Sequence, residues 1–406
     1  MPLRVAIVGG GIGGLAAALF LRAAGVEATV YEQASEVREF GAGLVLAPNL
    51  VRPLAQLGLA EGLAAFAVRL EAAWEFRRWS DGDVLFSQEM GDACERLYGA
   101  PCYVAHRGDL LAHLQQAWPP GRLWLDRRCV EVRDGPAHAE VELVDRHGVR
   151  ETVRADAVIG ADGIHSAVRP WVVDEEAPRF AGLCAFRCLV PVEAAPDLAR
   201  RPVQSIWLGP GRHFVHYPIC AGRMVNVVAF APAGDWRIEA WTAAGRVEDF
   251  PAEFAAWDPR VHGLVSAATS TRRWAVFDRM PLARWTRGRI ALLGDAAHAM
   301  LPFYAQGAAQ AIEDAVALAA CLRGAERDAV PDALARYEAI RRPRANEVQA
   351  MSRGREVRNH LPDGDEQARR DAELSRGDPL RQSAWLYGYD IAAACEAAVS
   401  RGGSRP

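Results

Sequence analysis

Two sets of residues in this chain have the types and the spacing for chemistry. The first is Gly9, Gly11 and Gly14, which fit G-x-G-x-x-G, with Glu32 further along. Backbone without a Cβ can approach a pyrophosphate whose charge sits at a helix N-terminus, and a carboxylate can accept hydrogen bonds from both hydroxyls of a ribose. The second is His213 and Tyr217. If residues 212–218 form a strand, side chains alternate, so His213, Val215 and Tyr217 project to one face while Phe214 and His216 point to the other. A histidine of near-neutral pKa can take a proton and a tyrosine can orient or relay it. Core packing is the competing reading for a strand histidine, and His216 keeps it.

The elements around the glycines suit the first reading. Residues 5–8 (Val-Ala-Ile-Val) read as a buried parallel strand, 15–24 as an Ala- and Leu-rich helix stopped by Gly25, and 28–31 as a second strand ending at Glu32. Strand, glycine turn, helix, strand and terminal acid is the order of a dinucleotide-binding unit. Residues 5–21 are uncharged and could pass for a signal-peptide core, but clustered glycines and the acid-terminated strand speak against that.

Composition narrows the class. The chain has 406 residues, half of them apolar and 24% charged, with a formal net charge of -4. Nothing there favours nucleic acid or a stable membrane association, and the cytoplasm is the expected compartment. All 47 basic residues are arginine, which removes both a P-loop lysine and a Schiff-base lysine. The eight cysteines form no C-x-x-C pair, and Cys184 and Cys188 are expected to pack rather than bind metal.

Along the chain, 1–70 reads as the first part of the nucleotide-binding domain, with a glycine-rich apolar loop at 41–49 and a helix near 50–57. Residues 71–100 supply strands to a substrate domain, beginning with a hairpin at 70–90. The nucleotide domain resumes over 101–180, where Arg107 precedes a helix as either a phosphate ligand or a solvated charge. An apolar strand at 157–160 ends there at Asp162-Gly163. Residues 181–275 read as an antiparallel substrate-binding sheet followed by helical stretches around 236–268. The third nucleotide-binding part spans 276–322, with a buried strand at 289–293, the exit Gly294-Asp295, and a helix beginning near Gln306-Gly307-Ala308. Residues 323–406 form a helical, arginine-rich C-terminal region. The fold class is α/β: a Rossmann-like domain with an inserted antiparallel sheet. Three strand-end junctions, at 9–14, 160–163 and 294–295, suit a ligand as long as FAD, with the pyrophosphate at the first and the ribityl chain at the third.

On these motifs the chain resembles the single-component FAD-dependent aromatic hydroxylases. The resemblance runs from Val5 to about Asp390 and rests on the G-x-G-x-x-G with Glu32, the H-R-x-D-L match at 106–110, the pattern from Asp156 to Arg169, Gly-Asp-Ala-Ala-His at 294–298, and the run from Gln306 to Ala315. It implies that Arg107 contacts the flavin nucleotide, that the Val130 backbone touches the adenine end, that Asp295 holds ribityl hydroxyls, and that Asp162 lies near the route of the nicotinamide nucleotide. It further implies that the helix from Gly307-Ala308 directs its positive end at the flavin. The implied chemistry is reduction of tightly bound, non-covalent FAD by NADH or NADPH, reaction with O2 to a C4a-hydroperoxide, and transfer of OH to an activated ring. The single G-x-G-x-x-G fits a family that holds the nicotinamide nucleotide only transiently.

The expected substrate is a small phenolic or hydroxypyridine carboxylate, with His213 as base and Tyr217 as its partner. Relatives acting on hydroxybenzoates and hydroxynicotinate carry a similar pair. Arg187 can bind a carboxylate bidentately or form a structural ion pair. Cys188 stands where relatives often have glycine. Pro302, Phe303 and Tyr304 should line the pocket near the flavin ring, with Tyr103 a further candidate. The alternative is the same flavin chemistry on a non-carboxylate substrate, as in an epoxidase or urate-type oxygenase. A flavin-binding protein without turnover and a simple NAD dehydrogenase fit the later motifs less well. The sequence allows a homodimer and leaves the hydroxylated carbon, any decarboxylation and NADH against NADPH open.

Overall fold

A computed structural model describes residues 1–36, 43–174, 176–236 and 249–402. Arg4–Val8 is the organising strand of a six-stranded sheet and pairs in parallel with Glu27–Tyr31 on one side and Ala157–Gly160 on the other. Ala157–Gly160 in turn pairs in parallel with Ile290–Leu292. These strands are near-continuous apolar runs, as strands with both faces buried must be. Because they run the same way, the junctions after residues 8, 160 and 292 emerge at one edge, where open α/β sheets bind ligands. Backbone hydrogen bonds lace them together: Ala161 N donates to Val8 O at 2.8 Å and Leu293 N to Gly160 O at 2.9 Å.

The helix Ile12–Ala23 follows the glycine turn and packs against the helix Gly307–Leu322. A Cβ on Gly13 would lie 2.8 Å from Leu293 Cδ2 and 3.2 Å from Ala311 Cβ, so the glycine sets how closely the two helices and the third junction approach. Gly14 performs a related task, since a Cβ there would sit 2.0 Å from Gly9 O.

A seven-stranded sheet forms the second layer, ordered Arg272–Asp278, Arg179–Pro191, Met224–Pro232, Arg212–Ile219, Val203–Gly209, Ala72–Arg78 and Val84–Glu89. Every pairing is antiparallel except that of Val203–Gly209 with Ala72–Arg78, which is parallel. The hairpin expected at 70–90 is therefore an edge of this sheet. One face carries Ile206, Val215, Tyr217, Val228 and Phe230; the other packs Phe186, Trp207 and Phe214 against Phe250 and Phe254 of the following helical segment.

One expectation needs amendment. Residues 43–46 form not a loop but a strand, Gly43–Leu46, antiparallel to Tyr103–His106, and the next helix begins at Pro48. Of the helical stretch around 236–268, residues 237–248 lie outside the described residues, and Asp249–Glu253 and Pro259–Ser266 are helical.

A 30-residue helix, Val330–Asn359, joins the two layers. Near its start Arg341 is buried against Gly307–Leu322, and at its end His360 O accepts a hydrogen bond from Gly211 N at 3.0 Å, pinning the turn before Arg212–Ile219. Among the described residues no helix is long and apolar enough to cross a membrane, and no cluster of His, Cys, Asp or Glu could hold a metal ion.

Candidate active site

One cavity of about 870 Å³ runs along the edge where the three junctions emerge and under the face of the seven-stranded sheet. Gly9, Gly11, Glu32, Arg107, Asp162, Asp295, Gly307 and Ala308 line its nucleotide half. His213, Tyr217, Arg187, Pro302, Phe303 and Tyr304 line the other. Residues separated by up to three hundred positions thus share one enclosed space.

The nucleotide half is built for an extended anion. Gly9 holds φ +108°, and a Cβ there would meet Ala161 O at 2.3 Å, so only glycine makes this turn beside the second junction. Gly11 has open space where a side chain would project. It also caps the helix Ile12–Ala23 without a side-chain hydrogen bond, so the first-turn N–H groups are presented to the cavity. Gln306 likewise leaves the N-terminus of Gly307–Leu322 without a side-chain cap. Glu32 accepts from Gly10 N at 2.6 Å and Ala34 N at 2.8 Å, which fixes its carboxylate at the end of the second strand. Asp295 is exposed to the cavity at the start of its short helix.

Asp162 lines the cavity but spends its carboxylate locally. It accepts from Ser166 Oγ at 2.5 Å, Ala167 N at 2.7 Å and Val168 N at 3.2 Å, holding the loop after the second junction. Burial raises its pKa, and these hydrogen bonds offset part of that shift. Val130 sits one step from the lining, which is supplied there by Arg127, Arg128 and Cys129. Tyr103, in the strand beside Gly43–Leu46, does not reach the cavity.

The third junction rests on a buried ionic network that sequence reading had recognised only as a motif. Asp314 accepts from Arg341 Nε at 2.8 Å and Gly294 N at 3.0 Å, and its Oδ2 lies 2.6 Å from His298 Nε2. Glu313 pairs with Arg341 at 2.7 Å and Arg344 at 2.7 Å, and accepts from Asn49 Nδ2 at 2.7 Å. Burial alone would raise the Asp314 pKa, but His298 and Arg341 outweigh it and the carboxyl stays below its usual range. His298 therefore braces the Gly294 turn, leaving Asp295 to face the cavity.

In the other half the strand alternation holds. His213, Val215 and Tyr217 face the cavity, whereas His216 lies fully buried beside Phe214 and Trp207 on the opposite face. His213 stacks on Phe230, ring centroids 4.5 Å apart, and meets Phe303 edge-on at 5.2 Å. Its Nδ1 lies 2.6 Å from Nε2 of His360, just past the long helix. This corrects the expectation of a near-neutral histidine: burial, the neighbouring His360 and Arg355 hold the His213 pKa well below 6.5, and burial lowers that of His360 to about 4. Tyr217 is raised by burial, partly offset by Arg187. A Cβ on Gly43 would strike Tyr217 and the Asn226 side chain, so the Gly43–Leu46 strand passes directly over this tyrosine.

Arg187 is buried with its guanidinium 4.3 Å from the Trp274 ring, and burial lowers its pKa to about 10. Cys188 is buried in the other core, where it packs beside Phe186 and leaves the strand regular. Sequence reading missed Arg355 and Asn359, which reach the same half of the cavity from the long helix, and Tyr387, which stacks on Trp74 at 5.5 Å. Their four-residue spacing was the available signal for the first two.

Comparison with known proteins identifies the family. A family model described as "FAD binding domain" matches residues 2–352, and the chain belongs to that family. A 3-amino-4-hydroxybenzoate 2-monooxygenase of Streptomyces platensis is 43% identical over 389 residues, covering 96% of both chains. The 3-hydroxybenzoate 6-hydroxylase 1 of Aquipseudomonas alcaligenes is 36% identical over 96% of this chain and 98% of its own. A salicylate hydroxylase solved as a substrate complex superimposes with a TM-score of 0.81 at 28% identity, covering 98% of each chain. Fold and site thus define a flavoprotein monooxygenase, and within that class an aromatic hydroxylase.

Proposed function

We propose that this protein hydroxylates a phenolic or hydroxypyridine carboxylate, using FAD, NADH or NADPH, and O2. One observation carries the reading: a single cavity joins two helix N-termini that lack side-chain caps and the carboxylate of Glu32 to a histidine–tyrosine face. The relatives named for 3-amino-4-hydroxybenzoate and 3-hydroxybenzoate support the substrate class. FAD, when bound, would supply the hydride acceptor and the electrophilic oxygen. Gly9, Gly11 and the first turn after them would hold its pyrophosphate, Glu32 a ribose, Arg107 the nucleotide, and Asp295 the ribityl hydroxyls. The N-terminus at Gly307-Ala308 would stabilise negative charge on the ring by about 0.3–1 kcal/mol.

The chain's own contribution is to hold and move a proton. With Nδ1 engaged by His360, His213 keeps Nε2 for the substrate hydroxyl. Its depressed pKa keeps Nε2 unprotonated throughout the physiological range, so the nitrogen is available to accept a hydrogen bond from that hydroxyl, while making it a weaker base than a free imidazole. Ionising the hydroxyl enriches the ring in electrons, which favours attack on an electrophilic oxygen. Tyr217, two strand positions beyond Val215, orients the same ring, while Phe230 and Phe303 pack around His213 and exclude water. Pro302 and Tyr304 complete the wall between ring and cofactor. The test is substrate-stimulated NADH oxidation across hydroxybenzoates and hydroxynicotinates with product identification; stimulation without any hydroxylated product contradicts the reading.

A further inference from the structure

We infer that Arg355 is the carboxylate-binding residue of the substrate cavity, with Asn359 one helical turn on completing an anion subsite. The inference rests on the aromatic-acid reading above and names the group that recognises the acid.

Arg355, on the long helix, lines the cavity together with His213 and Tyr304, and it also borders a second, smaller pocket with Phe76 and Glu373. The side chain is half-buried, and its guanidinium lies 5.0 Å from the Phe76 ring and 5.5 Å from the Tyr304 ring. These rings contact faces of the cation but supply no anionic acceptor, and among the described residues no carboxylate pairs with it. The nearby acids are committed elsewhere: Glu373 pairs with Arg358 at 2.9 Å and Asp371 with Arg370 at 2.8 Å. The acids of the cavity lining, Glu32, Asp162 and Asp295, all belong to its nucleotide half.

A cation withdrawn from water without a counter-charge is costly, and a cavity that keeps one is matched to an anion that arrives with the ligand. Burial, offset in part by Tyr304 and reinforced by Arg358 and Arg370, disfavours the charged form of Arg355, so a bound carboxylate relieves that cost. Tyr304, which shares the cavity lining with Arg355 and His213, has its ring 5.5 Å from the guanidinium, which favours a flat ligand whose other end reaches His213. An aromatic ring with a carboxylate at one end and a hydroxyl at the other meets both demands. Arg187 lies instead beside Tyr217, with its cation over Trp274.

The experiment compares 3-amino-4-hydroxybenzoate with its decarboxylated analogue 2-aminophenol on the FAD-loaded enzyme, reading Kd from the flavin absorbance change and kcat/KM from NADH oxidation. Wild type should prefer the acid. Arg355→Met should weaken the acid by about 10- to 100-fold and leave 2-aminophenol within about twofold, with Arg355→Lys between the two. Equal losses for both ligands in correctly folded Arg355→Met and Arg355→Lys would overturn the inference. So would unchanged preference for the acid, or its loss in Arg187→Gln alone. A wild-type enzyme that binds neither aromatic ligand, nor any other hydroxylated aromatic acid, would instead count against the proposed function.

Discussion

His213 and His360, 147 residues apart in sequence, meet at 2.6 Å through Nδ1 and Nε2 in a buried pocket. One of these nitrogens must carry the proton, and only a protonated Nδ1 on His213 leaves Nε2 free to accept from a substrate hydroxyl. The backbone repeats the connection, because Gly211 N donates to His360 O at 3.0 Å. His360 thus pins the turn before Arg212–Ile219 and engages Nδ1 of His213, and in the proposed mechanism it acts as a positioning residue by accepting from that nitrogen.

His213→Ala is expected to retain bound flavin while lowering substrate-dependent hydroxylation by about 10²- to 10⁴-fold at neutral pH. Flavin occupancy by absorbance and product by chromatography check both halves of the statement. Unchanged product formation would remove His213 from the mechanism.

His360→Leu should lower kcat by about tenfold with little change in KM, because the ring stays but its tautomer is no longer held. His360→Asn, which can still accept from Nδ1, should recover part of the loss. A KM effect alone in both variants would mark His360 as packing only.

The pH profile follows from the depressed pKa values. A base near 6.5 would lose half its activity at pH 6.5, whereas His213 stays neutral there, so kcat should hold between pH 8 and pH 6. Stability carries the matching sign. His213, His216 (about 3) and His360 (about 4) are neutral when folded but protonate near pH 6.5 when unfolded. Stability is thus complete above that pH and lost as pH falls towards the folded values. Thermal melts from pH 8 to pH 4 should show the decline beginning near 6.5, and it should be smaller in His216→Leu.

Arg341→Met should destabilise the fold by about 3–5 kcal/mol, since it removes the cation that Glu313 and Asp314 share and leaves only Arg344 on the first and His298 on the second. Denaturant unfolding measures this. The Gly294 turn depends on Asp314, so FAD affinity should fall as well.

Much of the nucleotide half was legible because its signals are local. A strand, a glycine turn and a terminal acid lie within thirty-two residues, and the period of two placed His213 and Tyr217 on one face before any coordinates. Long-range pairing was not legible. Gly43–Leu46 reads as a glycine-rich loop, and only Tyr103–His106 makes it a strand. Arg355 and Asn359 sit in, and His360 just past, an arginine-rich helix that looks solvated by composition, because its partner surface is built from residues far earlier in the chain. His298 and Asp314 looked like parts of a cofactor motif, yet they brace the turn from behind.

The most direct test of the whole reading is product analysis under ¹⁸O2 with FAD-loaded protein, NADH and 3-amino-4-hydroxybenzoate. The expected result is one hydroxylated product carrying a single labelled oxygen, formed with NADH consumption and lost in His213→Ala. A flavin-loaded protein that binds the acid, oxidises NADH and releases only labelled hydrogen peroxide would contradict it.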